Sequence, residues 1–327
     1  MVGVLEQFNG LKALVVGDVM IDAYTKGVVE RMSPEAPVPI VNTQSHFSRL
    51  GGAANVALNL KALGAEPVVF SVIGKDQPAA CFQQLMRENG LDCHGIFQSP
   101  QRKTTVKHRI FNGDRQVLRI DEEDTFDLTD EEFRILKEMV EKAFDQGSFN
   151  VIILQDYNKG VLSEKMIKAI LDLAKKRGLP VVVDPKKKNF FAYQGVTLFK
   201  PNGKELREGL GMTVETLEEL KQAMLTLQQR IDCEFLMVTL SEKGVMMLHN
   251  GIFKHISAHP RNIVDVSGAG DTVLSMAAIC VALGEKAEII ASLSNIAGGL
   301  VCESAGVTPI DKDRLQQEIQ RLGIDHD

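Results

Sequence analysis

The sequence predicts an α/β fold in which helices cover both faces of a mainly parallel β-sheet. Short runs of consecutive apolar residues alternate along the chain with longer segments of helical periodicity. The apolar runs lack the alternation of a half-exposed strand, which indicates strands that are buried on both faces. Hydrophobic residues make up 44% of the 327 residues and charged residues 24%, as expected of a globular protein with a substantial core.

The predicted strands and helices follow one another in the order that parallel strand–helix–strand units require. The first of these helices, over 53–63, places five apolar residues on one face, and Gly64 follows it as a stop signal. The chain after Gly268 is predicted to be largely helical. The predicted strands are 13–17, 67–73, 151–155, 181–184, 197–200 and 235–240, and the predicted helices are 53–63, 82–89, 130–144 and 164–177.

Two segments interrupt this alternation and predict a small β-lid. Residues 26–41 contain three prolines and cannot be helical, whereas 104–120 have the pattern of a hairpin with its turn at 112–114. We therefore expect one domain over residues 1–327, with lid segments near 24–43 and 103–121. A half-exposed lid sheet has free edges, so we also expect a homodimer in which a second lid covers them.

Composition excludes several classes of partner. The 43 acidic residues outnumber the 37 basic ones and give a formal net charge of −6, which argues against nucleic acid or an anionic membrane as the main partner. The five cysteines are scattered without a CxxC pair, a pattern typical of free thiols in a reducing compartment. The N-terminus lacks the pattern of a signal peptide, and the uncharged stretch 289–302 is too short to span a membrane. We expect a cytoplasmic protein.

The most informative motif is Asp-Val-Ser-Gly-Ala-Gly-Asp over residues 265–271. The small residues Gly268, Ala269 and Gly270 allow backbone N–H groups to converge, and the helix that begins there adds its positive end. Such a receptacle suits a phosphate or a developing oxyanion, and the adjacent Asp271 can accept a proton from a hydroxyl. The motif predicts phosphoryl transfer to an alcohol. The alternative is an ordinary helix start with an acidic residue in its first turn.

A second group of residues follows the first predicted strand. Ligands of open parallel sheets bind beyond the carboxyl ends of the strands, where Asp22 can hold hydroxyl groups. Gly51 and Gly52 permit close backbone approach to a ligand, and Asn55 offers a sugar both a donor and an acceptor. A simple glycine cap of the next helix is the alternative, and Asp18 is better explained as the cap of a turn.

Two further motifs predict a nucleotide site. Asn202 and Glu205 can share a helical face and reach hydrated Mg²⁺ beside a triphosphate, although this spacing is common by chance. Thr239, Ser241 and Gly244 follow another apolar strand and could contact phosphates or ribose, or could form a plain turn. The sequence contains no P-loop, no complete GxGxxG after the first strand and no GxSxG elbow, which argues against the corresponding enzyme classes.

The chain resembles the ribokinase-like carbohydrate kinase superfamily over nearly its whole length, because the motifs occur in the order of that family. They lie at 17–22, 51–55, 202–205, 239–244 and 265–271. The resemblance implies a three-layer α/β/α sandwich with a β-lid, ATP as the phosphoryl donor, and Mg²⁺. It also implies a monovalent cation such as K⁺, held by Asp265 and carbonyls of residues 304–308.

The same resemblance implies roles for individual residues. Asp271 would be the base, the amides of 268–270 the anion hole, and Asp22 and Asn55 the sugar ligands. The residues implied for the nucleotide are Asn202, Glu205, Thr239, Ser241, Gly244 and Asn295, of which Asn202 and Glu205 would also organise Mg²⁺ through water.

Within that superfamily the chain is most similar to the kinases of the bacterial heptose pathway, in the form without a fused nucleotidyltransferase domain. The segments that carry this similarity are 31–39, 51–57, 116–121, 156–162 and 184–186. It implies phosphorylation of the anomeric hydroxyl of D-glycero-D-manno-heptose 7-phosphate to the 1,7-bisphosphate, for lipopolysaccharide core synthesis. Lys107 and Arg109 on the lid would contact the distal phosphate, unless they are solvated surface charges. A kinase for another sugar, sugar phosphate or nucleoside, and a non-catalytic sugar-phosphate sensor, remain the alternatives.

Overall fold

The computed structural model describes residues 2–323. Its strands are β1 (Lys12–Gly17), β2 (Val19–Met32), β3 (Pro39–Gly52), β4 (Glu66–Gly74), β5 (Ile96–Ser99), β6 (Val106–Asn112), β7 (Arg115–Glu122), β8 (Val151–Gln155), β9 (Val181–Asp184), β10 (Leu198–Phe199), β11 (Phe235–Thr239), β12 (Val245–His249) and β13 (Ile252–Ile256). Its α-helices are α1 (Val2–Glu6), α2 (Ala53–Leu63), α3 (Gln77–Glu88), α4 (Asp130–Gln146), α5 (Glu164–Arg177), α6 (Gly203–Leu210), α7 (Leu217–Ile231), α8 (Ala269–Ala282), α9 (Ala287–Val301) and α10 (Lys312–Arg321).

The large sheet has the strand order β13-β12-β11-β10-β9-β8-β1-β4-β5 within the described residues. Every pair from β11 to β5 is parallel, and β12 and β13 add an antiparallel hairpin at one edge. The mainly parallel sheet predicted from the sequence is thus confirmed. The edge hairpin and the short strand β5 were not predicted.

Two apolar cores lie on opposite faces of this sheet and explain its continuous apolar strands. Ala13 and Val15 of β1 pack into the core formed with α2, α3, α8, α9 and α10. Leu14 and Val16 point the other way, into the core formed with α4, α5, α6 and α7. Because successive strand residues alternate between two buried faces, each must be apolar. The result is the three-layer α/β/α arrangement.

The smaller sheet has the order β3-β2-β6-β7 and corresponds to the predicted lid. The hairpin expected over 104–120 is present as β6 and β7, with its turn at 113–114. Strands β2 and β3 have 14 residues each and extend well beyond the expected segment 24–43. The first residues of β2, 19–22, and the last residues of β3, 50–52, are buried, so the lid begins inside the main body.

Other differences from the sequence expectations are small and concern element ends. Helix α3 begins at Gln77 rather than at 82, because Asp76 caps it by accepting a hydrogen bond from the N–H of Ala79 and because proline suits a first turn. The strands expected at 197–200 and 235–240 are shorter, at Leu198–Phe199 and Phe235–Thr239. Among residues 2–323, no helix is both long enough and apolar enough to cross a bilayer.

Candidate active site

Helix α8 begins where the Gly-Ala-Gly motif predicts it. Its N-cap, Gly268, has a left-handed backbone with φ 82°, and a Cβ there would lie only 2.9 Å from Nδ2 of Asn55. Both constraints require glycine at this position. A Cβ on Gly270 would lie 3.8 Å from Oδ2 of Asp184 and 4.0 Å from Nζ of Lys200, so the start of the helix faces a charged cluster. The 14 residues of α8 give this end a helix-dipole field that favours an anion.

Asp271 lies in the first turn of α8 and is buried. Its Oδ2 accepts a hydrogen bond from Nδ2 of Asn55 at 2.7 Å, and its Oδ1 accepts from the phenol of Tyr157 at 2.8 Å and from Nε2 of Gln155 at 3.2 Å. Burial raises the pKa of Asp271 to about 7, and the hydrogen bonds from Asn55 and Tyr157 oppose this increase. A carboxylate with a pKa near neutrality is suited to accept a proton from a hydroxyl group.

Asn55 is held by a second row of polar contacts between α2 and α8. Nδ2 of Asn59 donates to the carbonyl of Asn55 at 2.9 Å, and the hydroxyl of Thr272 donates to Oδ1 of Asn59 at 2.9 Å. A Cβ on Gly51 would lie 2.2 Å from Oδ2 of Asp22, and one on Gly52 would lie 2.3 Å from the carbonyl of Asp18. Packing within the protein is therefore sufficient to explain both glycines, as the glycine-cap alternative anticipated for Gly52.

Tyr157 and Gln155 were not predicted as site residues. Gln155 ends β8, and Tyr157 belongs to the following loop, whose backbone surrounds the carboxylate of Asp18. Asp18 accepts hydrogen bonds from the N–H groups of Tyr157 at 2.8 Å, Lys159 at 3.0 Å and Val161 at 3.0 Å. The expected capping role of Asp18 is thus real, but it stabilises a distant loop rather than its own turn. The sequence signal was the polar segment 156–160 after a buried strand.

Four charged side chains form a cluster beside the N-terminus of α8. Nζ of Lys186 lies 3.1 Å from Oδ1 of Asp184 and 2.5 Å from Oε1 of Glu205, and Nζ of Lys200 lies 3.1 Å from Oδ2 of Asp184. Although burial opposes the effect, the two lysines hold the pKa of Asp184 below its usual value. Asp184 and Glu205 likewise raise the pKa of Lys186 against the effect of burial. Asp184 and Lys186 therefore carry charge at neutral pH. Of the four, only Glu205 was expected as a site residue.

Asn202 and Glu205 form the N-terminal cap of α6. The side chain of Asn202 accepts from the N–H of Glu205 at 2.9 Å, and Oε2 of Glu205 accepts from the N–H of Asn202 at 2.8 Å. This reciprocal capping box explains their spacing without a ligand. Because Lys186 takes the remaining oxygen of Glu205, this carboxylate is fully paired in the structure.

A cavity of about 400 Å³ lies between α6 and the edge hairpin, and its lining includes sequence neighbours of the remaining expected nucleotide residues but not those residues themselves. Thr239 is bridged to Asn202, and Ser241 has a left-handed backbone with φ 53° in the turn that Gly244 closes. Asn295 on α9 donates a hydrogen bond to the carbonyl of Ser257 at 2.9 Å. Side chains and backbone that line the cavity include Gly203, Arg207, Leu240, Lys243 and Ser257.

The two lid cations expected at the sugar end have different surroundings. Nη1 of Arg109 lies 2.5 Å from Oδ1 of Asp22, and its guanidinium stacks 5.5 Å from the ring centre of Tyr24. Lys107 instead pairs with Asp121 at 3.4 Å and with Glu123 at 3.1 Å. The structure thus joins Arg109 to Asp22, whereas Lys107 belongs to a carboxylate network of the lid.

The charged cluster beside the start of α8 combines groups that suit phosphates with groups that suit a hydrated divalent cation. Lys186 and Lys200 can neutralise phosphate oxygens, and Asp184 and Glu205 can hold a hydrated divalent cation. A Cβ on Gly270 would meet no side chain closer than 3.8 Å, so the backbone there leaves room for a phosphate oxygen at the helix end. In the part of the chain that the structure describes, three or more His, Cys, Asp or Glu side chains nowhere gather closely enough to bind a metal directly.

Residues 11–314 match the model of the pfkB family carbohydrate kinases. This match covers most of the chain. Kinases of this family are phosphotransferases that use an alcohol group as acceptor. The protein belongs to the pfkB family of carbohydrate kinases.

Curated relatives match over nearly all of the chain. Bifunctional protein HldE from Syntrophotalea carbinolica is 37% identical over 324 residues, which are 99% of this chain and 66% of that protein. Bifunctional protein HldE from Methylobacillus flagellatus is 40% identical over 307 residues, which are 94% of this chain and 63% of that protein. The chain therefore spans just under two thirds of the length of these relatives.

Solved structures share the fold at low sequence identity. Phosphofructokinase-2 from Escherichia coli in complex with potassium superposes with a TM-score of 0.79 and 18% identity, covering 96% of this chain and 99% of that one. Ribokinase from Arabidopsis thaliana, complexed with ribose and ATP, superposes with a TM-score of 0.71 and 19% identity, covering 94% of this chain and 99% of that one. These comparisons confirm the predicted ribokinase-like fold.

Proposed function

We propose that this chain is an ATP-dependent kinase that phosphorylates the anomeric hydroxyl of D-glycero-D-manno-heptose 7-phosphate. The observation that carries the proposal is the combination of the heptose-kinase-like sequence segments with a buried base at the start of α8. The similarity to HldE proteins, at 37–40% identity, supports the same choice of acceptor over the sugars named for the structural neighbours at 18–19%.

In the proposed reaction Asp271 accepts the proton of the sugar hydroxyl as that oxygen attacks. Asn55 and Tyr157 fix the two carboxylate oxygens, so the base is oriented before the acceptor arrives. The amides of 268–270 stabilise negative charge that develops on the transferred group. ATP with Mg²⁺ supplies the phosphoryl group and the countercharge for its phosphates.

On the nucleotide side, we assign Lys186 and Lys200 to the phosphates and Asp184 and Glu205 to hydrated Mg²⁺. Since Lys186 already pairs with both carboxylates, the incoming divalent cation would replace a charge that the protein supplies itself. The released ammonium group would then be available for a phosphate oxygen. Asn202 acts in this scheme by holding Glu205 at the helix start.

On the acceptor side, we assign Asp22 to sugar hydroxyls and Arg109 to the distal phosphate. Arg109 extends from β6 to the buried end of β2, and its guanidinium offers the paired donors that suit a phosphate. Lys107 contributes by placing positive charge beside Asp121 and Glu123 rather than by a direct contact in this geometry. A sugar phosphate would thus be gripped at one end by the lid and presented to Asp271 at the other.

We further propose that residues 1–327 act as one kinase domain and that the lid mediates a homodimer. The large sheet uses strands from Lys12 to Ile256, which supports a single unit. The lid exposes Leu118 and Ile120 on one face of β7, with 53% and 44% of their surfaces accessible, and this apolar pair favours burial against another sheet. Light scattering at micromolar concentration tests this, because a monodisperse monomer would reject it.

The experiment that tests the activity is coupled ADP release with ATP and Mg²⁺ against four acceptors: the heptose 7-phosphate, fructose 6-phosphate, ribose and adenosine. Strong selectivity for the heptose phosphate is the expected result. Preference for another acceptor would keep the kinase and reject the heptose assignment. Ligand-induced stabilisation by the sugar phosphate, without turnover of any acceptor, would favour the sensor alternative.

A further inference from the structure

The loop that precedes α10 is held by an arginine of the lid strand β3. Nη1 of Arg49 donates a hydrogen bond to the carbonyl of Val307 at 2.7 Å and another to the carbonyl of Ala305 at 3.0 Å. The guanidinium also packs over the ring of Phe47, 5.3 Å from its centre. Among the described residues, no carboxylate oxygen lies within 4.0 Å of the Arg49 nitrogens, so the charge of Arg49 is directed at the two carbonyls.

The carboxylate of Asp265, opposite this loop, also has its partners within the protein. Its Oδ1 accepts from the N–H of Ser267 at 2.9 Å, and its Oδ2 accepts from the N–H of Gly306 at 2.9 Å. Asp265 and the carbonyls of 304–308 are the oxygens that the family resemblance assigns to a monovalent cation. In this chain the Arg49 guanidinium takes two of these carbonyl oxygens, those of Ala305 and Val307, and would repel a second cation there, while two backbone N–H groups bond the Asp265 carboxylate. The donor set therefore does not fit a bound K⁺.

The position of this loop affects the phosphate receptacle. A Cβ on Gly268 would lie 3.2 Å from Cγ1 of Val307, so the side chain of Val307 packs against the N-cap of α8. Gly306 lies between the two carbonyls that Arg49 contacts, and it has a left-handed backbone with φ 70°. Arg49 thus holds the loop that packs against the N-cap of α8.

We propose that the Arg49 guanidinium replaces the monovalent cation, so that this kinase needs no K⁺. The inference rests on the proposed kinase activity only for its catalytic consequence, since the structural part concerns the ligand-free protein. Arg49 is a positioning residue here, because it acts on the start of α8 through the 305–307 loop. A fixed charge of this kind holds the loop in place at any salt composition, whereas a bound ion would be lost when its concentration falls.

Two measurements on the wild-type protein test the proposal directly. The melting temperature of the ligand-free protein, and its rate of ADP release with whichever acceptor it uses, are compared in KCl and in choline chloride at equal ionic strength. We expect both to be the same in the two salts. A higher melting temperature in KCl, or a rate several-fold higher there, would overturn the proposal. The melting temperature needs no substrate, so failure of the heptose assignment would not affect this readout.

Variants then identify the source of the charge. Arg49→Met should lose about tenfold or more of the ADP-release rate in choline chloride, the scale of one charge-assisted hydrogen bond, and K⁺ should restore part of it. Arg49→Lys keeps a cation at the same position, so its ADP-release rate should remain independent of K⁺. This variant separates loss of the charge from misfolding caused by any substitution at position 49. Arg134→Met, which removes an exposed arginine of α4, is the matched control. Equal behaviour of Arg49→Met and Arg134→Met in both salts would contradict the role of Arg49.

Discussion

The phenol of Tyr157 donates a hydrogen bond of 2.8 Å to Oδ1 of Asp271, and so joins the loop after β8 to the first turn of α8. Burial and the neighbouring Asp271 raise the pKa of Tyr157 well above its usual value. The phenol therefore stays protonated and remains a donor throughout the neutral range. Its position is set by the backbone amides that surround Asp18, which makes the loop a rigid support for the base.

The Tyr157–Asp271 hydrogen bond has a consequence for pH dependence. Asp271 must be deprotonated to act as the base, so kcat/KM should rise with pH through about 7. Tyr157→Phe removes a donor that favours the ionised carboxylate. The acidic limb of the plot of kcat/KM against pH should therefore move to higher pH, by up to about one pH unit. Tyr193→Phe removes the hydrogen bond to a different buried carboxylate, Asp156, and should leave the limb in place. An unmoved limb in Tyr157→Phe would contradict this coupling.

Removal of the base should be the most severe single change in the site. We expect Asp271→Asn to keep the fold and to lower kcat by about 10²–10⁴, the usual scale for a positioned acid–base group. Asp114→Asn, in the exposed turn of the lid hairpin, makes the same chemical change away from the site. Steady-state ADP release measures both. A kcat of Asp271→Asn within a few-fold of wild type would exclude the base role.

Lys186 should determine affinity for the nucleotide rather than for the sugar. Lys186→Met removes a cation beside Asp184 and Glu205, and we expect the KM for ATP to rise about 10- to 100-fold, the scale of one or two charge-assisted hydrogen bonds. Lys187→Met changes the adjacent exposed lysine and should have little effect. The test is to measure the KM for ATP and the KM for the acceptor, for both variants, at saturating Mg²⁺. A change confined to the KM for the acceptor would contradict the assignment.

Arg109 should have the opposite selectivity. Because it lies on the lid beside Asp22, Arg109→Ala should raise the KM for the sugar phosphate at least about tenfold, and far more than the KM for ATP. The increase in KM should be smaller for an acceptor without a distal phosphate. Arg115→Ala, on the exposed strand of the same hairpin, controls for a change in lid charge. Equal effects on both KM values would count against a phosphate contact.

A buried ion pair near the Tyr157 loop should contribute strongly to stability. The Arg102 guanidinium donates to both carboxylate oxygens of Glu132, at 3.0 and 3.2 Å, and to the carbonyl of Lys159 at 3.1 Å. Arg102→Met leaves the buried Glu132 without its partner and should cost about 3–5 kcal/mol in the free energy of unfolding. Arg134→Met breaks an exposed pair with Glu138 and should cost at most about 0.5 kcal/mol. Urea unfolding compares them, and similar values would contradict the prediction.

The sequence predicts those features that depend on neighbouring residues. The apolar strands follow from burial on two faces, and the Gly-Ala-Gly turn before Asp271 follows from local backbone geometry. The hairpin of β12 and β13 was also predictable, because Asn250 and Gly251 form a two-residue turn with positive φ values of 49° and 74°.

Contacts between distant segments could not be read in the same way. Tyr157 reaches Asp271, 114 residues away, only because β8 ends beside the start of α8 in the folded sheet. The pairing of Lys186 with Glu205 likewise depends on the order of β9 and β10 rather than on any spacing. The carbonyl contacts of Arg49 span 256 and 258 residues. Each requires the strand order, which a single sequence does not specify.

The parallel pairing of β2 with β6 ties the assembly of the lid to that of the rest of the molecule. Between the first lid hairpin, β2 and β3, and strand β6 the chain passes through α2, β4, α3 and β5, which all belong to the main body. The lid sheet can close only after that excursion has returned β6 to the side of β2, and closure of so long a loop is slow. Its two hairpins are therefore not an autonomous module that could be excised or grafted. The β1–β4 pairing therefore helps to hold both halves of the lid together, because β2 follows β1 and the chain reaches β6 through β4 and β5.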